Sequence, residues 1–268
     1  MILNLIKHTR TKSVTKYCVK IEYQVLMSNI FIYSLAVIVC LYVHVGFGWY
    51  NTWDIFILSV FWSPALCNHQ IECDPPGGYD YFTIDGLWPA NMSFYTPNCT
   101  PPVTFNMSEI QTIENKLYRT WPDINNVTIS PVIWKYNYET YGSCAIQDPL
   151  IKNELGYFNV TISLLEKMDI LNNLKRYGIT PSDTLQQNKS DFQMALKKLY
   201  NVTPPLWCYR SDSGEIYFLQ MIVCLNKNLN FIECSQEGKN QTDDCPETFK
   251  FPAYHNTTKQ SVNLINLK

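Results

Sequence analysis

The chain has 268 residues, 46% of them hydrophobic, with a formal charge of −2, which suits one globular domain and a terminal extra. Ten cysteines are more than a reduced cytosolic protein usually carries. Nine Asn-x-Ser/Thr sequons, at Asn91, Asn98, Asn106, Asn126, Asn159, Asn188, Asn201, Asn240 and Asn256, argue for passage through the secretory pathway.

All nine sequons follow one long apolar run, residues 30–48, which five basic residues precede (Lys7, Arg10, Lys12, Lys16 and Lys20). Two readings of this leader stay open. Started at Met27, it is a signal peptide whose small residues Gly46 and Gly48 precede Trp49, an ending that favours cleavage. Left uncleaved, it is a signal anchor just long enough to span a bilayer, with its basic side cytosolic. Residues 1–48 are thus read as an extension plus leader, and 49–268 as a single secreted or lumenal domain. Loss of 1–48 takes away five basic residues and one acid, leaving 16 basic against 22 acidic, near −6. Nucleic-acid binders generally present a basic face, so this balance disfavours RNA as a partner.

In the body, 53–62 is nearly all apolar and β-prone, and reads as a central strand buried on both faces. It ends in Trp62-Ser-Pro-Ala-Leu-Cys67. The stretch Phe82-Thr-Ile-Asp-Gly-Leu-Trp-Pro89 predicts a strand that runs into a tight turn at Gly86. Residues 108–121 have Ile110, Ile113, Leu117 and Trp121 at helical spacing, with Pro122 as the stop. Next comes Trp134-Lys-Tyr-Asn-Tyr-Glu-Thr-Tyr-Gly-Ser-Cys144, whose aromatics Tyr136 and Tyr138 alternate as strand packing residues do. A helix is expected over 161–177 with Gly178 as its left-handed cap. Ser190-Asp-Phe-Gln193 reads as a capping box opening a third helix through Leu199. A strand follows at 217–225, and beyond Asn226 lies a polar tail.

The Phe82 and Trp134 segments carry a resemblance. They are similar, without a gap, to Phe-Thr-Ile-His-Gly-Leu-Trp-Pro and Trp-Lys-His-Glu-Trp-x-Lys-His-Gly-Thr-Cys of the T2 family of ribonucleases. The resemblance implies an α+β fold: a twisted, mostly antiparallel sheet flanked by helices and stapled by four disulfides. The implied pairs are Cys67–Cys73, Cys99–Cys144, and Cys208–Cys245 around Cys224–Cys234; spacing alone leaves 105 pairings for eight cysteines. Phe82, Trp88 and Trp134 become candidate walls of a substrate cleft.

The family's catalytic side chains are missing. Asp85 stands at the first His, and Tyr136, Asn137, Thr140 and Tyr141 replace His, Glu, Lys and His. Family members cleave RNA by transesterification, and histidine suits both proton transfers because its pKa of about 6.5 lies near working pH. Tyrosine, with a reference near 10, is ionised in only about one molecule in a thousand at pH 7. Asp85 would repel a phosphate, Thr140 lacks the charge of Lys, and Asn137 cannot exchange a proton. His69 and His255, the histidines outside the leader, fall in neither segment. No cofactor or metal is expected. The sequence therefore predicts a secreted, N-glycosylated pseudo-ribonuclease, with its glycans, a glycan receptor or another cell-surface molecule as partners, and the membrane only if the leader is uncleaved. The alternative is a weak or altered endoribonuclease.

Overall fold

The fold is that of a computed structural model, which describes residues 53–255 apart from 68–70, 76–77, 93–95, 97–98, 100–102 and 235–243. The leader, His69 and the sequons at Asn98, Asn240 and Asn256 lie outside the described residues.

The apolar run beginning at Trp53 forms β1 (Ile55–Phe61), whose side chains are buried on both faces. It is followed by a short helix, α1 (Pro64–Cys67), and by β2 (Thr83–Ala90). The expected tight turn at Gly86 is absent: β2 continues through Gly86, Trp88 and Pro89, paired antiparallel to β1. Pro89 is tolerated because β2 ends the sheet order, where one edge needs no ladder donor.

A 3-10 helix (Met107–Ile113) leads into α2 (Glu114–Thr120), and a second (Val127–Ile129) into α3 (Ser130–Asn137). The chain then widens into a π-helical turn (Tyr138–Gly142) before α4 (Ser143–Ala145). The Trp134 segment is therefore helical, not a strand. Trp134, Tyr138 and Ala145 are buried while Lys135 and Tyr136 are exposed, a three-to-four-residue rhythm. Pro131 in the first turn fits a helix start.

The helix expected over 161–177 begins earlier and is split: α5 (Glu154–Met168) and α6 (Ile170–Arg176) meet at Asp169, which is left-handed with φ 41°. Gly178, at φ 77°, closes α6 as expected, with its N–H on the Lys175 carbonyl and that of Ile179 on Leu174. β3 (Ser182–Asn188) precedes α7 (Lys189–Tyr200). Ser190 lies inside α7 and does not cap it; Asn188 takes the cap position, its side chain donating to Asp191.

The chain finishes with β4 (Leu206–Arg210), β5 (Ile216–Asn226), β6 (Phe231–Ile232) and β7 (Thr248–Phe251). The sheet order is β2-β1-β5-β7-β3, with β4 and β6 also on β5. Its pairings are antiparallel apart from β5 with β7. The core lies between the sheet and helices α2 to α7, with Trp62, Trp121, Trp134, Tyr157 and Phe158 fully buried. Disulfides join Cys67–Cys73, Cys99–Cys144, Cys208–Cys245 and Cys224–Cys234, the pairs the resemblance implies.

Candidate functional site

Asp85 owes its position to a bulge. Ser59 of β1 pairs with Gly86 and Val60 with Ile84, so Asp85 is an extra residue that faces no partner in the ladder. Bulges re-aim side chains in this way. The carboxylate turns across β1 to β5, where Oδ2 accepts from Ser59 Oγ at 3.0 Å and from Gln220 Nε2 at 2.9 Å. Gln220 also donates to Ser59 Oγ, which closes a three-residue polar ring. Asp85 is open to solvent on one side and crowded by protein on the others. That desolvation raises its pKa above the ordinary carboxylate value, while the Ser59 and Gln220 hydrogen bonds pull it back down.

The facing wall comes from α3 and the π-helical turn. Trp134 anchors it: the indole is fully buried and donates to the Trp121 carbonyl at 2.6 Å. One turn on, Asn137 is 5% exposed and donates to the Ile133 carbonyl at 3.1 Å. A Cβ placed on Gly86 would lie 2.9 Å from Asn137 Oδ1 and 2.1 Å from Trp88 Nε1. Glycine is therefore what lets β2 meet this helix and lets the Trp88 indole fold back over the strand.

Tyr141 packs against Trp88 at a centroid distance of 5.8 Å and edge-on to Tyr136 at 6.2 Å. Burial raises its pKa to about 12, helped by a hydrogen bond to Tyr136 and by the nearby charges of Tyr136 and Asp85. Tyr136 is 59% exposed, and Thr140 is half-buried. All five replaced positions thus lie on β2 or on the α3–π segment. The candidate cleft walls divide: Trp88 is half-buried beside Tyr141, whereas Phe82 and Trp134 are core residues. Phe82 packs on Trp62, Phe218 and Phe251.

Beside Asp85 opens a hollow of about 130 Å³, with Thr83, Trp121, Asp123, Asn125 and Ile133 among its walls. Tyr141 is not one of them. Asp123 is 8% exposed; its Oδ1 accepts from the Asn125 and Asn126 backbone N–H groups at 2.8 and 3.1 Å. Ser59, Gln220 and Asp123 were not singled out from the sequence. The signal available for two of them is a polar residue interrupting an otherwise apolar strand.

Elsewhere, His255 Nε2 lies 2.7 Å from Asp183 Oδ2, outside this region. Among the described residues, no group of three or more His, Cys, Asp or Glu could hold a metal ion, and no helix is long and apolar enough to cross a membrane. Of the described sequon asparagines, Asn106, Asn126, Asn188 and Asn201 are exposed, and Asn91 and Asn159 are half-buried. Asn106 and Asn126 share one geometry: the amide oxygen accepts from the hydroxyl two residues on, at 2.8 Å from Ser108 and 2.6 Å from Thr128.

Comparison with known proteins gives a consistent result. The family model described as "Ribonuclease T2 family" matches residues 53–234. Ribonuclease T2-A of Mus musculus is 30% identical over 193 residues, 70% of this chain and 72% of that protein. Ribonuclease T2 of Sus scrofa is 30% identical over 206 residues, covering 75% of this chain and 99% of the relative. The crystal structure of human RNase T2 superimposes with a TM-score of 0.63 at 25% identity, covering 76% of this chain and all of that one.

Proposed function

The chain belongs to the ribonuclease T2 family, and from that membership we propose that it is a secreted, N-glycosylated pseudo-ribonuclease that acts by binding. The observation that carries this reading is the Asp85 carboxylate, held as an acceptor by Ser59 and Gln220 where the family's first histidine would stand.

RNA transesterification needs a base for the ribose 2′-OH, an acid for the leaving 5′-oxygen, and positive charge for the phosphorane. Tyr141, with a pKa pushed up to about 12, can hold a proton but does not release it near neutral pH. Asn137 and Thr140 do not titrate. Among the described residues no Lys or Arg lines the hollow, and an anionic Asp85 opposes a phosphate. Losing one acid–base group typically costs about 10²- to 10⁴-fold in rate. Here the whole set has changed, and the effects of residues that act as a unit do not simply add.

The alternative, a weak or altered endoribonuclease working through a 2′,3′-cyclic phosphate, draws on the raised pKa of Asp85, which moves that carboxyl toward useful proton transfer. Among the described residues it lacks a cation in the hollow beside that carboxyl. Secretion and glycan attachment are tested by expressing the full chain in eukaryotic cells and looking for it in the medium. The reading expects a ladder of smaller species on endoglycosidase digestion. An unmodified protein retained in the cytosol contradicts it. Incubating the purified material with RNA between pH 4 and 8 is expected to leave the RNA intact.

A further inference from the structure

We propose that the adjoining ends of α6 and α7 form a basic surface that binds a sulfated polysaccharide chain outside the cell. The proposal rests on the secretion reading alone, and does not depend on whether the replaced site cleaves RNA.

The surface is assembled from two helices that are not consecutive in sequence. Lys175 and Arg176 occupy the last turn of α6, and Lys197 and Lys198 the last turn of α7. All four are exposed. Packing brings the two pairs together. Lys198 Nζ lies 5.8 Å from the centre of the ring of Tyr177, the residue that follows Arg176. Arg176 donates to Asn173 Oδ1 at 3.2 Å, and Asn173 Nδ2 donates to the Met168 carbonyl. The same carbonyl takes the hydroxyl of Tyr200, at the end of α7. One acceptor thus ties the α6 side of the surface to the α7 side.

Charge is the second observation. Among the described residues none of the four cations makes an ion pair. The acidic side chains on the same three helices and their junction are engaged away from them. Glu166 pairs with Lys116, Asp191 accepts from Asn188 at the opposite end of α7, and Asp169 accepts from Asn172. Cations in a last helical turn offset the carbonyl end of their own helix, which accounts for each pair taken singly. It does not account for two pairs converging, without counter-ions, in a domain that is near −6 overall. Like charges gathered on one face repel one another and set up a local positive potential, which draws a polyanion.

The surroundings select among polyanions. Single-stranded RNA is held by bases stacked on open aromatic faces, whereas the Tyr177 ring lies under Lys198. Anionic lipids are concentrated in the cytoplasmic leaflet, which a secreted domain does not meet. A sulfated polysaccharide has no base to stack and carries its charges in rows along a flexible chain. Three of the four cations are lysines, point charges on mobile stems that can follow such a row. Clusters of Lys and Arg are the pattern expected of a heparin patch.

The test uses the full-length secreted protein, glycans in place, and a heparin oligosaccharide beside its desulfated counterpart, titrated at low salt by calorimetry. We expect saturable binding of the sulfated chain that weakens as salt rises. The desulfated chain should bind at least about tenfold more weakly, because the ion contacts carry the affinity. A variant with Lys175→Gln, Arg176→Gln, Lys197→Gln and Lys198→Gln should show the same loss. A control with Arg119→Gln and Lys135→Gln, exposed cations on α2 and α3, should bind as the parent does. Acetylation footprinting of the unaltered protein keeps the assignment testable should the variant fold poorly. Heparin should protect Lys175, Lys197 and Lys198 and leave Lys135 labelled. No saturable binding, equal affinity for the two oligosaccharides, equal losses in variant and control, or unprotected lysines on α6 and α7 overturns the proposal. Tighter binding of polyadenylate or of phosphatidylserine vesicles also overturns it, in favour of RNA or a lipid surface. A protein retained in the cytosol removes the secretion reading beneath it. A secreted protein that ignores heparin loses only this surface, and RNA cleavage bears on neither.

Discussion

Gln220 reaches Asp85 at 2.9 Å from two strands away, because Gln220 is on β5, Asp85 on β2, and β1 runs between them. The contact exists because Asp85 is the bulged, unpaired residue of β2 and Ser59, on the strand between, is small enough to let the two side chains meet. It turns a position suited to proton exchange into part of a fixed polar ring. Gln220→Ala should remove one bond to Asp85 Oδ2, lower stability by about 1 kcal/mol, and raise the Asp85 pKa further. Carboxyl NMR titration against a denaturation curve would read both, and an unmoved Asp85 titration would contradict the assignment.

Two carboxyls give the fold an acid-leaning stability. Glu154, 6% exposed at the start of α5, accepts from the Asn106 N–H, yet burial raises its pKa from 4.5 to about 7, with help from Glu109 and Glu139. Its folded pKa is above its unfolded one, so the folded state holds the proton more tightly. That contribution is whole below about 4.5 and is lost as pH rises through about 7. Asp85 shifts in the same direction. Chemical denaturation from pH 4 to 8 should show stability falling across this window. Glu154→Gln should flatten the fall, and Asp85→Asn should stabilise the protein most at the alkaline end.

Gly86 is constrained by its neighbours rather than by its backbone angles. Ala at this position would set a methyl 2.1 Å from Trp88 Nε1. The indole must swing away, and with it the contact to Tyr141. Gly86→Ala should cost about 1–3 kcal/mol, the usual range for overpacking, and should shift the Trp88 fluorescence. A variant as stable as the parent, with unchanged fluorescence, would count against the described packing.

Trp134 holds α3 against the chain after α2 through one buried hydrogen bond of 2.6 Å and an edge-on contact with Tyr118 at 4.9 Å. Trp134→Phe keeps most of the apolar bulk and leaves the Trp121 carbonyl unmet. The expected loss is about 1–3 kcal/mol in the midpoint analysis of thermal or denaturant unfolding. A negligible loss would mean that the carbonyl finds water instead.

The sheet was legible where burial wrote itself into the sequence. Residues 53–62 and 217–225 are apolar enough on both faces that only a central strand accommodates them, and they form β1 and β5. β3 was not legible: Ser182-Asp-Thr-Leu-Gln-Gln-Asn188 is largely exposed and is a strand because β7 pairs with it. β7 itself hid in what reads as a polar tail, although Phe249 and Phe251 fill the core. The Trp134 segment misled because two alternating tyrosines mimic a strand over three residues, while the helical rhythm needs the longer span from Trp134 to Ala145. At the site, the replaced residues could be named from the two motifs. The bulge, Ser59, Gln220 and the hollow could not, because they depend on register between strands distant in sequence.

The measurement that bears most directly on the account is RNA cleavage by the purified native protein beside a variant carrying Asp85→His, Tyr136→His, Asn137→Glu, Thr140→Lys and Tyr141→His. All five positions lie on β2 and on the α3–π segment, which face each other through Gly86 and Asn137. The account predicts that the native protein leaves RNA intact and that the variant cleaves it to 2′,3′-cyclic phosphate products. Cleavage by the native protein at a rate near that of the variant would contradict it, and would place the chemistry in residues other than these five.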